Sequence, residues 1–503
     1  MNGGDIEHMT STMKQLFLLC IAGLILGATA KAEKTLVAAE EGIVGDGQTL
    51  CTEAIQRAVD RLNQEGGGVL RFKPGVYRTG CIVLRSGVEL QLDRGAVISG
   101  STNPDHYRSL IASQARDNST MALIVADGVR DIAITGSGLI DGNGRELALA
   151  IEYAMNEGPD RRQKRRPPET MRPKLFFMSN CEKVRVEGLK LRNSACWGLS
   201  FHSCRDLQVS DIEFENRAYW NNDGIDVTDC KNVVIRRCDI NSADDGICLK
   251  SYDTSSCNEN VLIEDCRIRS SASAVKFGTA SWGGFRHVTV RNIRVEDTFR
   301  SVIALECVDG GALEDVLVED IHATNTGNPI FIRLGHRGGK DTGTARRITI
   351  RNFFAEMPFG IPDIDYDVRG PGFSVCNPRP SSITGIPGHR VEGVTLENVE
   401  IVYPGRASKG IFYYPLSQIH QVPEKTGDYP EFSMFGELPS WGFYVRHVEG
   451  VTFRNVRLSL KDRDFRPAFV FDDAKKVGME RISLPLMGSG QDVFAKDSEV
   501  ERK

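Results

Sequence analysis

Three aspartates, Asp223, Asp244 and Asp245, are the residues of this chain whose types and spacing indicate chemistry. Asp223 and Asp245 each precede a glycine and an apolar segment of the same pattern, and they lie 22 residues apart. Paired carboxyl groups can divide acid and base work, because a protonated one donates to a leaving oxygen while an ionised one activates water. That division suits hydrolysis of a glycosidic bond.

The segments that follow these aspartates recur along the chain. Five of them align by their apolar pattern, with leading residues 26, 22, 28 and 28 positions apart: Trp197, Asp223, Asp245, Ser273 and Ser301. If each segment is one turn of a solenoid, equivalent residues lie about 4.8 Å apart on adjacent strands. Asp223 should then stack on Asp245, with Asp244 beside them. Stacked like charges raise at least one pKa, which is typical of a functional site. The alternatives are a Ca²⁺ site or ordinary Asp-Gly turns.

A second pattern, Val-x-Ile/Val-x-x-apolar-x-apolar, sets the fold. Its copies begin at residues 184, 207, 233, 261, 288, 316, 348, 394 and 451, and the first six are 23 to 28 residues apart. Alternation indicates strands with one buried face, and the skipped position in the middle indicates a bend. No helical pattern separates the copies. We therefore predict an all-β fold, a single-stranded right-handed parallel β-helix. Leucine-rich repeats would need a Leu/Asn consensus, and propeller blades would need longer repeats.

The N-terminal part of the chain departs from this repeat. Lys14, an apolar run over 16–27 and Ala30-Lys31-Ala32 predict a cleaved secretory signal peptide. Residues from Thr52 to about Gly66 predict an amphipathic helix that caps the open end of the solenoid. The predicted divisions are a signal peptide over 1–32, a cap and first coils over 33–100, a catalytic β-helix over 101–485 and a tail over 486–503.

Composition narrows the function. The formal net charge is −5 and the pI about 6.1, which gives no general attraction for nucleic acid or an anionic membrane. Twelve of the 13 cysteines follow the signal segment, and several fall at stacked apolar positions, so buried free thiols are favoured over disulfides. The cysteines lack zinc spacing, and we predict no metal or cofactor. We expect an exported monomer, periplasmic or extracellular, that acts on a polysaccharide or oligosaccharide.

The motifs around the aspartates resemble those of glycoside hydrolase family 28, the polygalacturonase family. Asn221-Asn222-Asp223-Gly224 is similar to its N-T-D-G motif, and Asp244-Asp245-Gly246 to its paired-Asp motif. The opening segments 45–49, 66–68 and 74–77 look like its N-terminal signature. The resemblance implies that Asp244 is the general acid, that Asp223 and Asp245 position and deprotonate water, that Asn221 binds substrate, and that the anomeric carbon is inverted.

Two of the family's motifs are missing. Ser273 stands where the resemblance places a histidine, and the segment 303–305 is Ile-Ala-Leu where the family has two cations. These departures argue against an ordinary endo-polygalacturonase. Other side chains could take over substrate binding, and each has a packing or surface role as its alternative. The candidates for charge are Lys250, Lys276, Arg333 and His336. The candidates for stacking are Trp197, Tyr219 and Trp220, and His202 lies at the end of the Trp197 strand.

Two interruptions of the repeat, over 143–173 and 404–440, are predicted loops that decide whether the cleft is open. The first carries Arg161, Arg162, Lys164, Arg165 and Arg166, either a solvated loop or a cationic rim beside the cleft. Our first hypothesis is an inverting glycosidase on galacturonan or rhamnogalacturonan. A Ca²⁺-dependent uronate lyase and a non-catalytic carbohydrate-binding β-helix are the alternatives.

Overall fold

The computed structural model describes residues 34–109, 119–156, 165–363, 379–407, 409–412, 414–485 and 492–503. The predicted signal peptide, 1–32, lies outside the described residues, as do Arg161, Arg162 and Lys164. Within the described ranges, no helix combines the length and apolar character needed to cross a bilayer.

The described strands pair in parallel with the coil before and the coil after them, which confirms the predicted parallel β-helix. The pairings form three ladders along the molecule, and each coil contributes to them in turn. The strands of the first ladder are Thr35–Val37, Gly68–Phe72, Val88–Leu92, Arg130–Gly136, Glu182–Glu187, Arg205–Ser210, Lys231–Arg236, Asn258–Glu264 and Val500–Arg502. Those of the second are Asp46–Leu50, Gly75–Thr79, Ala96–Gly100, Leu139–Asp141, Lys190–Arg192, Glu213–Asn216, Asp239–Ser242 and Arg267–Ser270.

The third ladder carries the aspartates at its leading edge. Its strands are Ile82–Val83, Ala122–Asp127, Lys174–Ser179, Leu199–His202, Ile225–Thr228, Ile247–Ser251, Val275–Ser281, Ser381–Thr384 and Val493–Lys496. Other strands pass through the bends and join the ladders: Gly284–Cys307, Ala312–Leu334, Thr344–Glu356, Val391–Tyr403, Phe443–Leu460, Phe469–Lys475 and Val477–Ser483.

The skipped position of the repeat is the bend between the first two ladders. The residue there has a positive φ in every copy: Gly188, Asp211, Arg237, Asp265, Asn292, Asp320, Asn352, Asn398 and Asn455. Glycine, asparagine and aspartate adopt this left-handed conformation most readily, which explains their dominance. Several of these side chains also bond along the stack, as Asn292 Nδ2 does to Asp265 Oδ1 at 2.6 Å.

The interior is a set of apolar columns that the alternating pattern predicts. One column runs through Val186, Val209, Ile235, Ile263 and Val290, which are in register and fully buried. Each coil thus buries its inward side chains only against its neighbours, so the core extends along one axis.

Helices cover parts of this solenoid. The predicted cap is the α-helix Thr52–Gln64, which buries Ile55, Ala58, Val59 and Leu62. The α-helix Gly144–Asn156 stands where we predicted a loop, because Leu147, Ala148 and Ile151 give it a buried face. A short α-helix spans Lys409–Phe412, and 3₁₀ turns span Ala38–Glu41, Pro104–His106, Glu169–Met171 and Leu416–Gln421.

Two further predictions can be compared with the described residues. The 11 described cysteines are free thiols, as expected, and nearly all are buried. The predicted tail continues the solenoid, since Val493–Lys496 pairs with Phe469–Asp472 and Val500–Arg502 with Val477–Met479. The boundary placed at 486 therefore does not mark the end of the coils.

Candidate active site

Asp223 and Asp245 stack on adjacent coils, as their spacing predicts. The strands that follow them pair with Ile225 opposite Ile247, and the Gly224 N–H donates to the carbonyl of Asp245 at 2.9 Å. The glycines after both aspartates are required, because a Cβ on Gly224 would lie 2.3 Å from the carbonyl oxygen of Gly246. Both aspartates are 4% exposed.

Asp244 lies beside this stack and keeps more contact with solvent. Its backbone carbonyl accepts hydrogen bonds from Ser242 Oγ at 2.6 Å and Ser270 Oγ at 2.7 Å, which fixes the turn that carries it. Burial, and then the charges of Asp223 and Asp245, raise the pKa of Asp244 to about 7. A carboxyl group with this pKa is protonated in mildly acidic solution and can donate a proton.

The pKa of Asp245 is shifted in the opposite direction. Its Oδ2 lies 3.1 Å from Lys276 Nζ, and its Oδ1 accepts the Ser273 N–H at 3.0 Å. Although burial works against ionisation, Lys276 and Arg300 hold the pKa of Asp245 below its usual value. The backbone of Ser273 thus anchors Asp245 at the position where the family resemblance places a histidine.

Asp223 belongs to a buried cluster with Lys250 and Asp226. Lys250 Nζ lies 3.2 Å from Asp223 Oδ2 and also pairs with Asp226, which is fully buried. Burial and the neighbouring Asp226 raise the pKa of Asp223. Burial disfavours the charge of Lys250, yet Asp226 and Asp223 hold its pKa above the usual range. Sequence reasoning missed Asp226, although its place in the Asp-Gly-Ile-Asp-Val segment is an outward position of a strand.

Asn221 is close to the proposed acid but is also fixed from behind. Its Nδ2 lies 3.5 Å from Asp244 Oδ2, and its Oδ1 accepts from Arg172 at 2.8 Å. The Arg172 side chain is fully buried and also donates to the carbonyls of Ala195 and Trp220. The sequence did not single out Arg172, which holds the turn before Asp223 in place.

Trp197 and His202 lie behind Lys250 and are largely buried. Lys250 Nζ is 3.6 Å from the ring centroid of Trp197, and the His202 ring stacks on Tyr252. Burial, with Lys174 and Lys250 nearby, lowers the pKa of His202 well below its usual value. The structure therefore favours the packing alternative for both side chains.

Arg333 and His336 do not join the aspartates. Arg333 is 1% exposed, and its guanidinium donates to the carbonyls of Gly385, Glu424 and Lys425. The backbone N–H of His336 donates to the carbonyl of Thr426 at 2.7 Å, and its ring Nε2 lies 3.3 Å from the carbonyl oxygen of Gly339. The predicted substrate contact of Arg333 is corrected to a structural one, because the segment 424–426 covers its charged end.

The segment that contains these carbonyls also reaches the aspartates. Glu431 pairs with Arg300 at 3.0 Å, and the Tyr429 hydroxyl accepts from Lys276 Nζ at 3.1 Å. Although burial works against its charge, Glu431, Tyr429 and Asp244 hold the pKa of Arg300 above its usual value. Arg300, Tyr429 and Glu431 were missed. Of these three, only Arg300 could have been found from the sequence, because it directly precedes the aligned Ser301.

The first interruption of the repeat borders the site on another side. The Arg166 guanidinium lies 4.4 Å from the Trp220 ring, and the Tyr219 hydroxyl donates to Glu152 at 2.6 Å. Burial raises the pKa of Glu169, and the charge of Asp244 adds to the effect. Trp220 with Arg166 thus fits the cationic-rim interpretation, whereas Tyr219 packs against the helix Gly144–Asn156.

Comparisons with known proteins show the family of this chain. The sequence model of Glycosyl hydrolases family 28 matches residues 84–418. A probable polygalacturonase of Vitis vinifera is 28% identical over 438 residues, 76% of this chain and 80% of that protein. An exo-poly-alpha-D-galacturonosidase of Dickeya chrysanthemi is 24% identical over 263 residues, 44% of this chain and 42% of that protein.

A solved structure shares the fold. The family 28 exopolygalacturonase of Yersinia enterocolitica superposes with a TM-score of 0.64 at 17% identity, covering 92% of this chain and 80% of that one. At this identity the likeness supports the β-helix, and the site must be argued from its own residues.

Proposed function

This chain belongs to glycosyl hydrolases family 28, and from that membership we propose that it cleaves glycosidic bonds of a pectin-type polysaccharide, of galacturonan or rhamnogalacturonan type, with inversion at the anomeric carbon. The chain is a glycoside hydrolase. We propose its substrate, the stereochemistry of its reaction and the roles of its residues. The relatives named for galacturonan cleavage support the substrate class.

The observation that carries the mechanism is the different surroundings of two adjacent aspartates, because Lys276 Nζ lies 3.1 Å from Asp245 Oδ2 while Asp244 is flanked by the charges of Asp223 and Asp245. The pKa of Asp244 rises to about 7, while that of Asp245 falls below its usual value. Titratable neighbours whose pKa values are pushed apart divide naturally into an acid and a base. Asp244 is therefore assigned as the general acid and Asp245 as the base.

The proposed reaction is a single displacement. Asp244 donates its proton to the glycosidic oxygen as the bond from that oxygen to the anomeric carbon breaks. A water molecule attacks the same carbon from the opposite side, and Asp245 takes a proton from it. Asp223, held by Lys250 and Asp226, positions this water. Asn221, Lys276 and Trp220 are proposed substrate contacts at the edges of the site.

The test is reducing-sugar release from homogalacturonan and from rhamnogalacturonan by the wild type and by Asp244→Asn. Removing a general acid should lower turnover by at least about 100-fold. Asp265→Asn is a matched control, because Asp265 lies at a coil bend where Asn292 and Asn352 occupy equivalent positions. Unchanged turnover in Asp244→Asn would sink the assignment.

Stereochemistry needs a second measurement. Proton NMR of the first product formed should show the anomer opposite to that of the substrate. Retention of configuration would contradict the single displacement. Unsaturated uronides that absorb in the ultraviolet and disappear with a chelator would instead show β-elimination. Polysaccharide binding without any product would favour a carbohydrate-binding protein.

We also propose export of the mature chain, which agrees with a large extracellular substrate. The signal peptide that motivates this lies outside the described residues, so N-terminal sequencing of exported protein is the check. A mature protein that begins near residue 33 is the expected result.

A further inference from the structure

The cations near the three aspartates already have carboxylate partners within the protein. Lys250 pairs with Asp223 and Asp226, and Lys276 pairs with Asp245. Arg300 pairs with Glu431, a residue of the segment 424–436 that borders the site. Of these pairs, only the last brings in a carboxylate that the proposed mechanism does not use.

Arg300 lies on the coil that follows Lys276, since its backbone N–H donates to the carbonyl of Ala272 at 2.8 Å. Its charge acts on both Asp244 and Asp245, and Asp244 is the proposed donor to the glycosidic oxygen. An arginine is suited to bind a carboxylate through its fork of N–H groups. Here Glu431 occupies the guanidinium and brings its own negative charge.

The strand that carries Arg300 continues into an apolar position at Ala304. Ala304 lies in register with Lys276 on the next coil, and it is buried in an apolar cluster to which the bordering segment and the residues just before it contribute side chains. Those side chains include Ile419, Val422, Phe432 and Phe435. The segment thus seals with apolar packing the strand on which the family resemblance places two cations, and it presents Glu431 to the site.

From this arrangement we propose that Glu431 excludes an ionised uronate from the position beside Arg300, so that the sugar bound there carries no charge. It is either a neutral sugar or a uronate whose carboxyl group is esterified. This inference rests on the proposed function and narrows its substrate. An ionised carboxylate there would meet Glu431 and the ionised Asp245 in a partly desolvated site, where repulsion is strong.

Tyr429 supplies a surface that suits such a sugar. Its side chain is 52% exposed, while its hydroxyl is fixed by Lys276 Nζ. An aromatic ring held in this way offers an apolar face against which the C–H groups of a sugar can pack. Tyr429 and Glu431 belong to the same segment, so one element provides both the favourable contact and the repulsive one.

The experiment compares three sets of oligosaccharides of matched length: de-esterified galacturonan, methyl-esterified galacturonan and rhamnogalacturonan. We expect wild type to cleave at least one of the last two sets with kcat/KM about tenfold or more above the first. The set that is cleaved distinguishes the ester from the neutral sugar. Glu431→Gln should raise kcat/KM on the de-esterified set about tenfold, mainly through KM. The control is Asp428→Asn, which changes an exposed residue of the same segment. It should alter neither the preference among the sets nor kcat/KM on the de-esterified set.

A wild-type preference for the de-esterified set that Glu431→Gln leaves unchanged would overturn this inference, while loss of turnover in Asp244→Asn would still support the proposed function. Turnover of none of the sets by wild type would overturn both. A measurement on wild type alone guards against misfolding of the variant: the methyl ester of galacturonate should inhibit more tightly than galacturonate itself. Equal or weaker inhibition by the ester would also count against the inference.

Discussion

Lys276 Nζ lies 3.1 Å from Oδ2 of Asp245, and it comes from the coil that follows the aspartates. This contact separates two neighbouring carboxyl groups by function. Without a cation beside it, Asp245 would be buried next to other acids, and its pKa would rise as that of Asp244 does. Lys276 therefore keeps the proposed base ionised while Asp244 retains its proton.

The pH dependence of kcat should follow from this separation. The pKa of Asp244 is raised to about 7 by burial and by Asp223 and Asp245, so the proton needed for catalysis is present below that pH and lost above it. Lys276 and Arg300 hold the pKa of Asp245 below its usual value, which keeps the base ionised in acidic solution. We expect a plateau in weakly acidic solution and a decline of about tenfold per unit above about pH 7.

The measurement is initial rate at saturating substrate across buffers from acid to alkaline pH. The charges of Lys276, Arg300 and Glu169 also act on Asp244. Because these groups are largely buried, salt should move the alkaline limb only slightly. Residual activity of Asp244→Asn should lack that limb, because its amide does not titrate. An alkaline limb that persists in this variant would assign it to another group.

Replacing Lys276 by methionine should move the acidic limb. The variant keeps most of the side-chain volume but removes the positive charge, so the pKa of Asp245 should rise. We expect kcat to fall about tenfold or more on the acidic side of the shifted limb, with partial recovery in Lys276→Arg. Lys190→Met is the matched control, since Lys190 pairs with Glu213 on the exposed second ladder. A lowered kcat with an unmoved limb would limit Lys276 to a structural role.

Much of this site follows from spacing in the sequence. Asp223 and Asp245 could be placed one above the other because each coil returns to the same position after one repeat. The bend residues recur at the same position of each copy, so the strands stay in register although the coils differ in length. Contacts that cross between the repeat and an irregular segment could not be predicted. Arg300 with Glu431 is one such contact, and the burial of Arg333 beneath 424–426 is another, because neither position has a periodic partner.

Lys250 should contribute to stability in a pH-dependent way. Lys250→Met would leave Asp223 and Asp226 buried without their cation, and breaking a buried pair in this manner costs about 3 kcal/mol near neutral pH. Its loss should raise the folded-state pKa of both aspartates further. Groups with a raised folded-state pKa stabilise the fold at low pH and lose that contribution as pH rises. The destabilisation should therefore be smaller at pH 5 than at pH 8.

Urea unfolding of wild type and Lys250→Met at both pH values gives the comparison. Lys231→Met serves as the control, because Lys231 forms a more exposed pair with Glu259 on a neighbouring strand. It should change the free energy of unfolding by less than about 1 kcal/mol at either pH. Equal losses at the two pH values for Lys250→Met would contradict the electrostatic explanation.

The bends of the solenoid offer a stability test that is independent of catalysis. Arg237 has a φ of 50° at the position where the other copies have glycine, asparagine or aspartate. The left-handed conformation costs a long side chain about 1 kcal/mol, whereas asparagine tolerates it. Arg237→Asn should raise the free energy of unfolding by up to about 1 kcal/mol, reduced by the loss of the exposed ion pair with Asp211.

Asn292→Val should lower the free energy of unfolding by about 1 to 3 kcal/mol, because a β-branched residue suits the positive φ of the bend poorly and cannot bond to Asp265. Chemical denaturation of both variants provides the measurement, and a stabilised Asn292→Val would show that the bends do not require these residues.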